Sequence, residues 1–181
     1  MKFILVLLGT GTSQGVPVIG CDCVVCQSND PKDNRLRTSA LVKTKFGNIL
    51  IDIGPDFRMQ MLKSKNNIIH SVLLTHQHRD HTAGLDDIRP IYYAHKKAIN
   101  LYAEDHVFDA LRSDFNYLFS DKEYPGKPKI NVSIINDKPF DTLNTIITPI
   151  RAMHHKLPIL GYRIGDMSYV TDANYLSPDE K

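Results

Sequence analysis

The stretch that decides the fold reads Thr75-His76-Gln77-His78-Arg79-Asp80-His81-Thr82-Ala83-Gly84, and it follows directly on an apolar run at residues 68–75. Ile69, Val72, Leu73 and Leu74 predict that this run is a strand, so the polar cluster sits at a strand end. Three imidazoles and a carboxylate then fall within six residues, His76 to His81. Imidazole nitrogen and carboxylate oxygen are ligands for first-row metals, and a loop leaving a rigid strand can aim all four inward. The spacings do not suit a single helical face, which would need ligands at i and i+4. A merely solvated histidine-rich loop is the competing reading, and the strand in front of it argues against that.

Working outward, residues 2–8 predict a first strand that ends at the loop Gly9-Thr10-Gly11-Thr12-Ser13. Residues 38–44 and 48–53 predict two strands of a hairpin turning at Phe46-Gly47-Asn48, and residues 57–65 a helix with Phe57, Met61 and Leu62 near helical spacing. Beyond the cluster, residues 85–93 and 104–119 predict helices, while residues 100–103, 130–136, 145–153, 161–164 and 168–171 predict strands. That order holds more strands than a simple βαβ ladder needs, which predicts α/β architecture with sheets flanked by helices. A chain of 181 residues with 42% hydrophobic content and no internal repeat or linker predicts one domain over residues 1–181. Gly9, Gly11 and Gly15 miss the spacing of a dinucleotide-binding loop, and Pro17 with a cysteine loop after it makes a poor helix opening. Ser177-Pro178-Asp179-Glu180 reads as the start of a helix, so the expectation is a domain that lacks its C-terminal portion.

Composition narrows the partners. The net charge of +2, with Lys and Arg scattered among acids, carries no nucleic-acid footprint. The apolar run Phe3 to Leu8 is too short to span a membrane and lacks a cleavage site, which favours the cytoplasm. Cys21, Cys23 and Cys26 are all the cysteines of the chain, and an odd set inside six residues cannot staple a fold. Such spacing points to metal, with tetrahedral zinc needing a fourth ligand; three free thiols in a loop is the plainer reading.

The HxHxDH signature resembles that of the metallo-β-lactamase superfamily, which implies an αββα sandwich and a two-metal hydrolytic centre. On that resemblance His76 and His78 serve the first ion and Asp80 and His81 the second. His154, after residues 147–153, fits the place of a later histidine ligand, and Asp172, after Tyr169-Val170-Thr171, that of the bridging aspartate. His155 beside His154 stays open, because neighbours on a loop can both reach a metal. Asp52 in Ile51-Asp52-Ile53-Gly54 resembles a family carboxylate that orients a histidine. The loop Gly9 to Pro17 followed by Cys21-Asp22-Cys23-Val24-Val25-Cys26 is similar to the branch containing the phosphoribosyl cyclic phosphate phosphodiesterase. There the three cysteines hold a structural zinc together with a C-terminal histidine. The resemblance runs from Phe3 to about Asn174. A last histidine of the second metal, also C-terminal in the family, has no counterpart in this chain.

What this implies is a metal-dependent hydrolase for a small cyclic or linear phosphodiester. Two divalent ions, zinc, manganese, nickel or iron, bring the pKa of a shared water down to roughly 7, so a metal-bound hydroxide attacks and no side-chain nucleophile is needed. Asp80 has the catalytic role of orienting that water. Arg35, Arg37 and Arg151 are candidates for a substrate phosphate, with surface solvation the plainer role for each. Two alternatives stand beside it: transfer-RNA 3′ processing, which shares HxHxDH, and an accessory protein similar to the pyrroloquinoline quinone biosynthesis branch. A sheet missing its cover also predicts self-association as a homodimer.

Overall fold

Side chains on a pleat alternate between two faces, and the computed structural model, which describes residues 2–121 and 125–180, shows what each face meets. The first sheet runs β1 (Ile4–Gly9), β2 (Ser39–Thr44), β3 (Gly47–Ile51), β4 (Ser71–Leu73), β5 (Ile99–Ala103) and β6 (Ile130–Ile134), in that spatial order. Strands β1 to β3 are antiparallel, and β3 to β6 are parallel. Parallel neighbours need crossovers, and these carry α1 (Phe57–Lys63), α2 (Arg79–Thr82), α3 (Arg89–His95), α4 (Asp105–Asp114) and α5 (Asn116–Phe119). Leu41, Leu50, Val72 and Leu101 face the helices and pack with Phe57, Met61, Val107, Phe108 and Leu111.

The next residues along the same strands point the other way. Val42, Ile49, Ile51 and Leu73 pack against Ile147, Leu160, Tyr162 and Ile164 of a second sheet. That sheet is built from β7 (Phe140–Thr142), β8 (Thr145–His154), β9 (Leu157–Ile164), β10 (Met167–Tyr169) and β11 (Tyr175–Leu176). Its order is β10-β9-β8-β11, with β7 also paired to β8. The layers are therefore helices, sheet and sheet, the first three of the expected αββα order. Among the described residues no α-helix follows β7. No described helix is long and apolar enough to cross a membrane.

Several elements differ from the sequence reading. The helix expected at 104–119 breaks at Phe115, whose φ of −126° and ψ of 43° end α4 and let α5 start in a new direction. Both pieces still bury apolar residues, Leu111 in one and Leu118 in the other. The helix expected at 85–93 opens as a 3-10 turn, Leu85–Ile88, before α3 starts with Pro90 in its first turn. Strand β9 begins at Leu157, and β7 and β11 were not expected. The C-terminal helix start is a single 3-10 turn, Pro178–Glu180.

Candidate metal centre

Strand β4 leaves its ladder after Leu73, and the next residues are gripped one by one. The amide of Asp52 donates to the Leu73 carbonyl and that of Leu74 to the Tyr102 carbonyl, both at 2.9 Å. The chain stays extended to His78 (φ −60°, ψ 145°) and then makes the one helical turn of α2. His76 and His78 thus come from extended backbone, Asp80 and His81 from a helical turn, which is why their spacing fits neither period alone. The turn is pressed onto the end of β3: Ile53 donates to the His81 carbonyl at 2.8 Å and Gly84 to the Ile53 carbonyl at 2.9 Å. A Cβ at Gly54 would lie 2.0 Å from the Asp80 carbonyl oxygen, and one at Gly84 would lie 2.1 Å from the Gly54 carbonyl oxygen. Only glycine permits that approach.

Two ligand groups result. Ligand atoms of His76, His78 and His154 lie within 4.8 Å of one another, as do those of His76, His81 and Asp172. His154 comes from the end of β8 and Asp172 from the loop after β10, so each group draws on both sheets. His155 is not in either group; it takes a left-handed φ of 55°, and its amide donates to Asn174 Oδ1 at 2.8 Å. Asp80 sits at the edge of the second group, with Oδ2 3.3 Å from His81 Nε2. Asp52 and Asp172, with φ of 59° and 56°, are also left-handed without being glycine, a strained backbone that collects at functional sites.

The hydrogen bonds fix which nitrogens are bare. Thr75 Oγ1 has one proton, and it donates to the Asp52 carboxylate at 2.9 Å. The same oxygen meets His76 Nδ1 at 2.9 Å and must there be the acceptor, so Nδ1 carries the ring proton. Nε2 of His76 is then a bare lone pair, fully buried, with no hydrogen-bond partner and 3.7 Å from Asp172 Oδ2. A buried orphan acceptor of this kind costs free energy unless something fills its place, and a divalent cation does so. On His81, Nδ1 meets Asp52 Oδ2 at 2.7 Å and Nε2 meets Asp172 Oδ2 at 2.9 Å. The nitrogen and oxygen donors around His76 Nε2 therefore fit divalent first-row ions.

Electrostatics split the two buried histidines. Burial, reinforced by the neighbouring charge on His81, pushes His76 down to about 4. Burial also opposes a charged His81, but the carboxylates of Asp52, Asp172 and Asp80 outweigh it and hold its pKa far above the ordinary value. The hydrogen bond from His81 in turn holds Asp172 and Asp80 below the usual carboxylate range. Thr75 was not singled out from sequence, and its place directly before the first histidine is the signal that could have found it.

The cysteine loop forms a separate group. The sulfurs of Cys21, Cys23 and Cys26 lie within 4.8 Å of one another, and among the described residues no fourth ligand joins them. Backbone amides aim at the sulfurs, Val18 at Cys26 Sγ (3.3 Å) and Cys26 at Cys23 Sγ (3.5 Å). The Cys26 amide, with the Cys21 side chain, brings the Cys23 thiol down to about 7. Three clustered sulfurs are soft donors that suit zinc and supply three of its four positions. The three arginines are engaged within the protein: Arg151 with Glu104 and Asp137 (2.7 and 3.0 Å), Arg37 with Asp56 (3.0 Å), and Arg35 with Thr10 Oγ1 (3.3 Å).

Fold and site together define a class, proteins in which the edges of two packed sheets bring together side chains able to hold divalent metal. The model of the beta-lactamase superfamily domain matches residues 47–181, and the chain belongs to the metallo-β-lactamase superfamily. Its branch is that of a solved structure described as a new diphosphatase from the PhnP family, 35% identical with a TM-score of 0.90, covering 99% of this chain and 69% of that one. Among curated proteins, an octanoyltransferase of Porphyromonas gingivalis is 45% identical over 97% of this chain and 36% of its own length. Coenzyme PQQ synthesis protein B of Methylorubrum populi is 28% identical over 61% of this chain and 43% of its own length. The chain thus spans less than half the length of these curated relatives.

Proposed function

We propose that the protein is a two-metal phosphodiesterase acting on a small cyclic or linear phosphodiester, as one domain over residues 1–181 in a reducing, cytoplasmic setting. The observation that carries this is the bare, buried His76 Nε2, which belongs to both ligand groups. The likeness to a diphosphatase points to phosphorus–oxygen bonds, and the mild net charge of +2 argues against an RNA substrate. In this reading His76, His78 and His154 would hold one ion and Asp80, His81 and Asp172 the other. Bound divalent ions, zinc, manganese, nickel or iron, supply the Lewis acidity that lets water attack a phosphodiester at neutral pH. Asp52 orients His81 and Thr75 orients His76. Asp80 accepts a hydrogen bond from the attacking water and sets its line of approach. Cys21, Cys23 and Cys26 hold a structural zinc.

A second reading rests on the octanoyltransferase match, whose 45% identity exceeds the 35% of the diphosphatase. In that reading the substrate would carry an octanoyl group as an ester or thioester. Hydrolysis of bis-p-nitrophenyl phosphate and of an octanoyl thioester of N-acetylcysteamine, each with manganese, separates the two. The first reading expects phosphodiester turnover that falls at least about 100-fold in His78→Ala, since even outer partners of ligands are worth 10–100-fold. Thioester turnover alone would replace it with the second. Tight metal binding with neither turnover would favour an accessory role like that of the quinone-biosynthesis relative.

A further inference from the structure

Four of the ligands come from the side of the first sheet (His76, His78, Asp80, His81) and two from the second (His154, Asp172), so their convergence depends on how the sheets are held apart. Beside the site three contacts cross that gap. Tyr162 of β9, fully buried, donates its hydroxyl to the Leu74 carbonyl at 2.5 Å. The Leu160 amide of the same strand donates to the Thr75 carbonyl at 3.0 Å. Tyr169 of β10 meets Thr38 Oγ1 at 3.0 Å, and next to Thr38 the Ser39 hydroxyl donates to the Asp52 carbonyl at 2.9 Å.

Tyr162 and Tyr169 are direct partners in the pairing of β9 with β10, so the two hydroxyls leave one sheet side by side and grip the other at two points. One point is immediately before the Thr75-His76 pair. The other is beside the strand end that carries Asp52. Burial keeps both phenols protonated, which leaves each able to donate.

We propose that this cross-strand tyrosine pair is a positioning device that sets the separation of the two half-sites at the distance a bound metal needs. The proposal rests on the two-metal reading for its consequence and on the cross-sheet contacts for its geometry. Neither tyrosine touches a ligand atom; each acts through the backbone that carries one. Phenylalanine in either place keeps the ring that packs between the sheets and removes only the tie.

The test uses the full chain with Tyr162→Phe, Tyr169→Phe and the double change, and Ile147→Val as a control that loosens the same inter-sheet cluster without a tie. Manganese affinity is read by electron paramagnetic resonance, because thiols compete poorly for that ion. Amide hydrogen exchange of residues 74–81 is read on metal-free protein, and melting temperature on all variants. The expected result is manganese binding weakened about 10-fold by each tyrosine change and further by both, with faster exchange at 74–81. Ile147→Val should lower the melting temperature and leave affinity unchanged. Tyrosine variants that melt earlier yet keep wild-type affinity and exchange overturn the proposal, since the hydroxyls then serve stability alone. Wild-type protein that binds no manganese sinks the two-metal reading instead, and the exchange comparison still decides the tie.

Discussion

His76 and His81 lie with ring centroids 4.2 Å apart and planes tilted by 46°, both fully buried, and yet their protons are driven in opposite directions. His81 has its folded pKa raised above the unfolded value of 6.5, so its contribution to stability is fully present below 6.5 and is lost as pH rises through the folded value. His76 has its folded pKa lowered to about 4. Between 6.5 and 4 the unfolded chain takes a proton that the folded chain refuses, and stability falls as pH drops through that window. Asp172, held down by its hydrogen bond from His81, keeps its own contribution throughout. Metal-free protein should therefore be most stable near pH 6.5 and decline on both sides. Melting temperatures from pH 4 to about 9 check this, and Asp52→Asn should flatten the alkaline limb by weakening the hold on the His81 proton. An alkaline limb left unchanged by that substitution would mean that the Asp52–His81 contact carries no charge. Because cations replace the proton on His81 Nε2, metal loading should also release protons into a weak buffer.

At the scale of elements, the joint between β3 and α2 is the part of the site that backbone shape alone enforces. Gly54→Ala would put a methyl 2.0 Å from the Asp80 carbonyl oxygen, a backbone atom that cannot swing aside. A loss of about 1–3 kcal/mol in urea unfolding is expected, as for overpacked cores, together with weaker manganese binding because the ligand turn is displaced. Gly20→Ala is the contrast: no atom lies within 4 Å, and its cost is limited to the left-handed φ of 76°. Wild-type stability in Gly54→Ala would show that the turn can shift freely. The strand before His76 was legible from Val72-Leu73-Leu74, and the ligand types were legible from HxHxDH. The form of the ligand turn was not, since the four residues of α2 are too few to show a period. Strand β9 was hidden in its first half because Pro158 reads as a breaker, although it pairs with Met153. Two-residue β11 and three-residue β7 carry no alternation to read. His154 and Asp172 stood out by position after strands; that they reach His76 depends on the packing of two sheets, which no local pattern encodes.

For the whole molecule, the first sheet is open at both ends: among the described residues β1 pairs in a ladder only with β2, and β6 only with β5. Open edges offer unpaired amides and carbonyls to another chain, and proteins usually blunt them with charge. In this sheet β1 instead exposes Ile4 and Leu7 (64% and 57%), and β6 exposes Ile134 (59%). The strand itself, Ile4 to Gly9, carries no charged residue, and Lys43 lies opposite Ile4 on β2 rather than on the edge. Apolar side chains on a strand with one edge unpaired combine the two features that favour association, buried area and ladder hydrogen bonds. We therefore expect self-association through β1 that grows with concentration, most simply a homodimer with a two-fold axis between paired β1 strands. Light scattering across a dilution series, in reducing buffer so that the cysteines cannot crosslink, should show a mass rising above one chain. Leu7→Lys should return it to the mass of one chain without altering manganese affinity, because β1 contributes no residue to either ligand group. A single-chain mass at every concentration would mean that the exposed edge stays solvated. A dimer that survives Leu7→Lys would move the contact to another face, with Ile134 on β6 the next surface to charge.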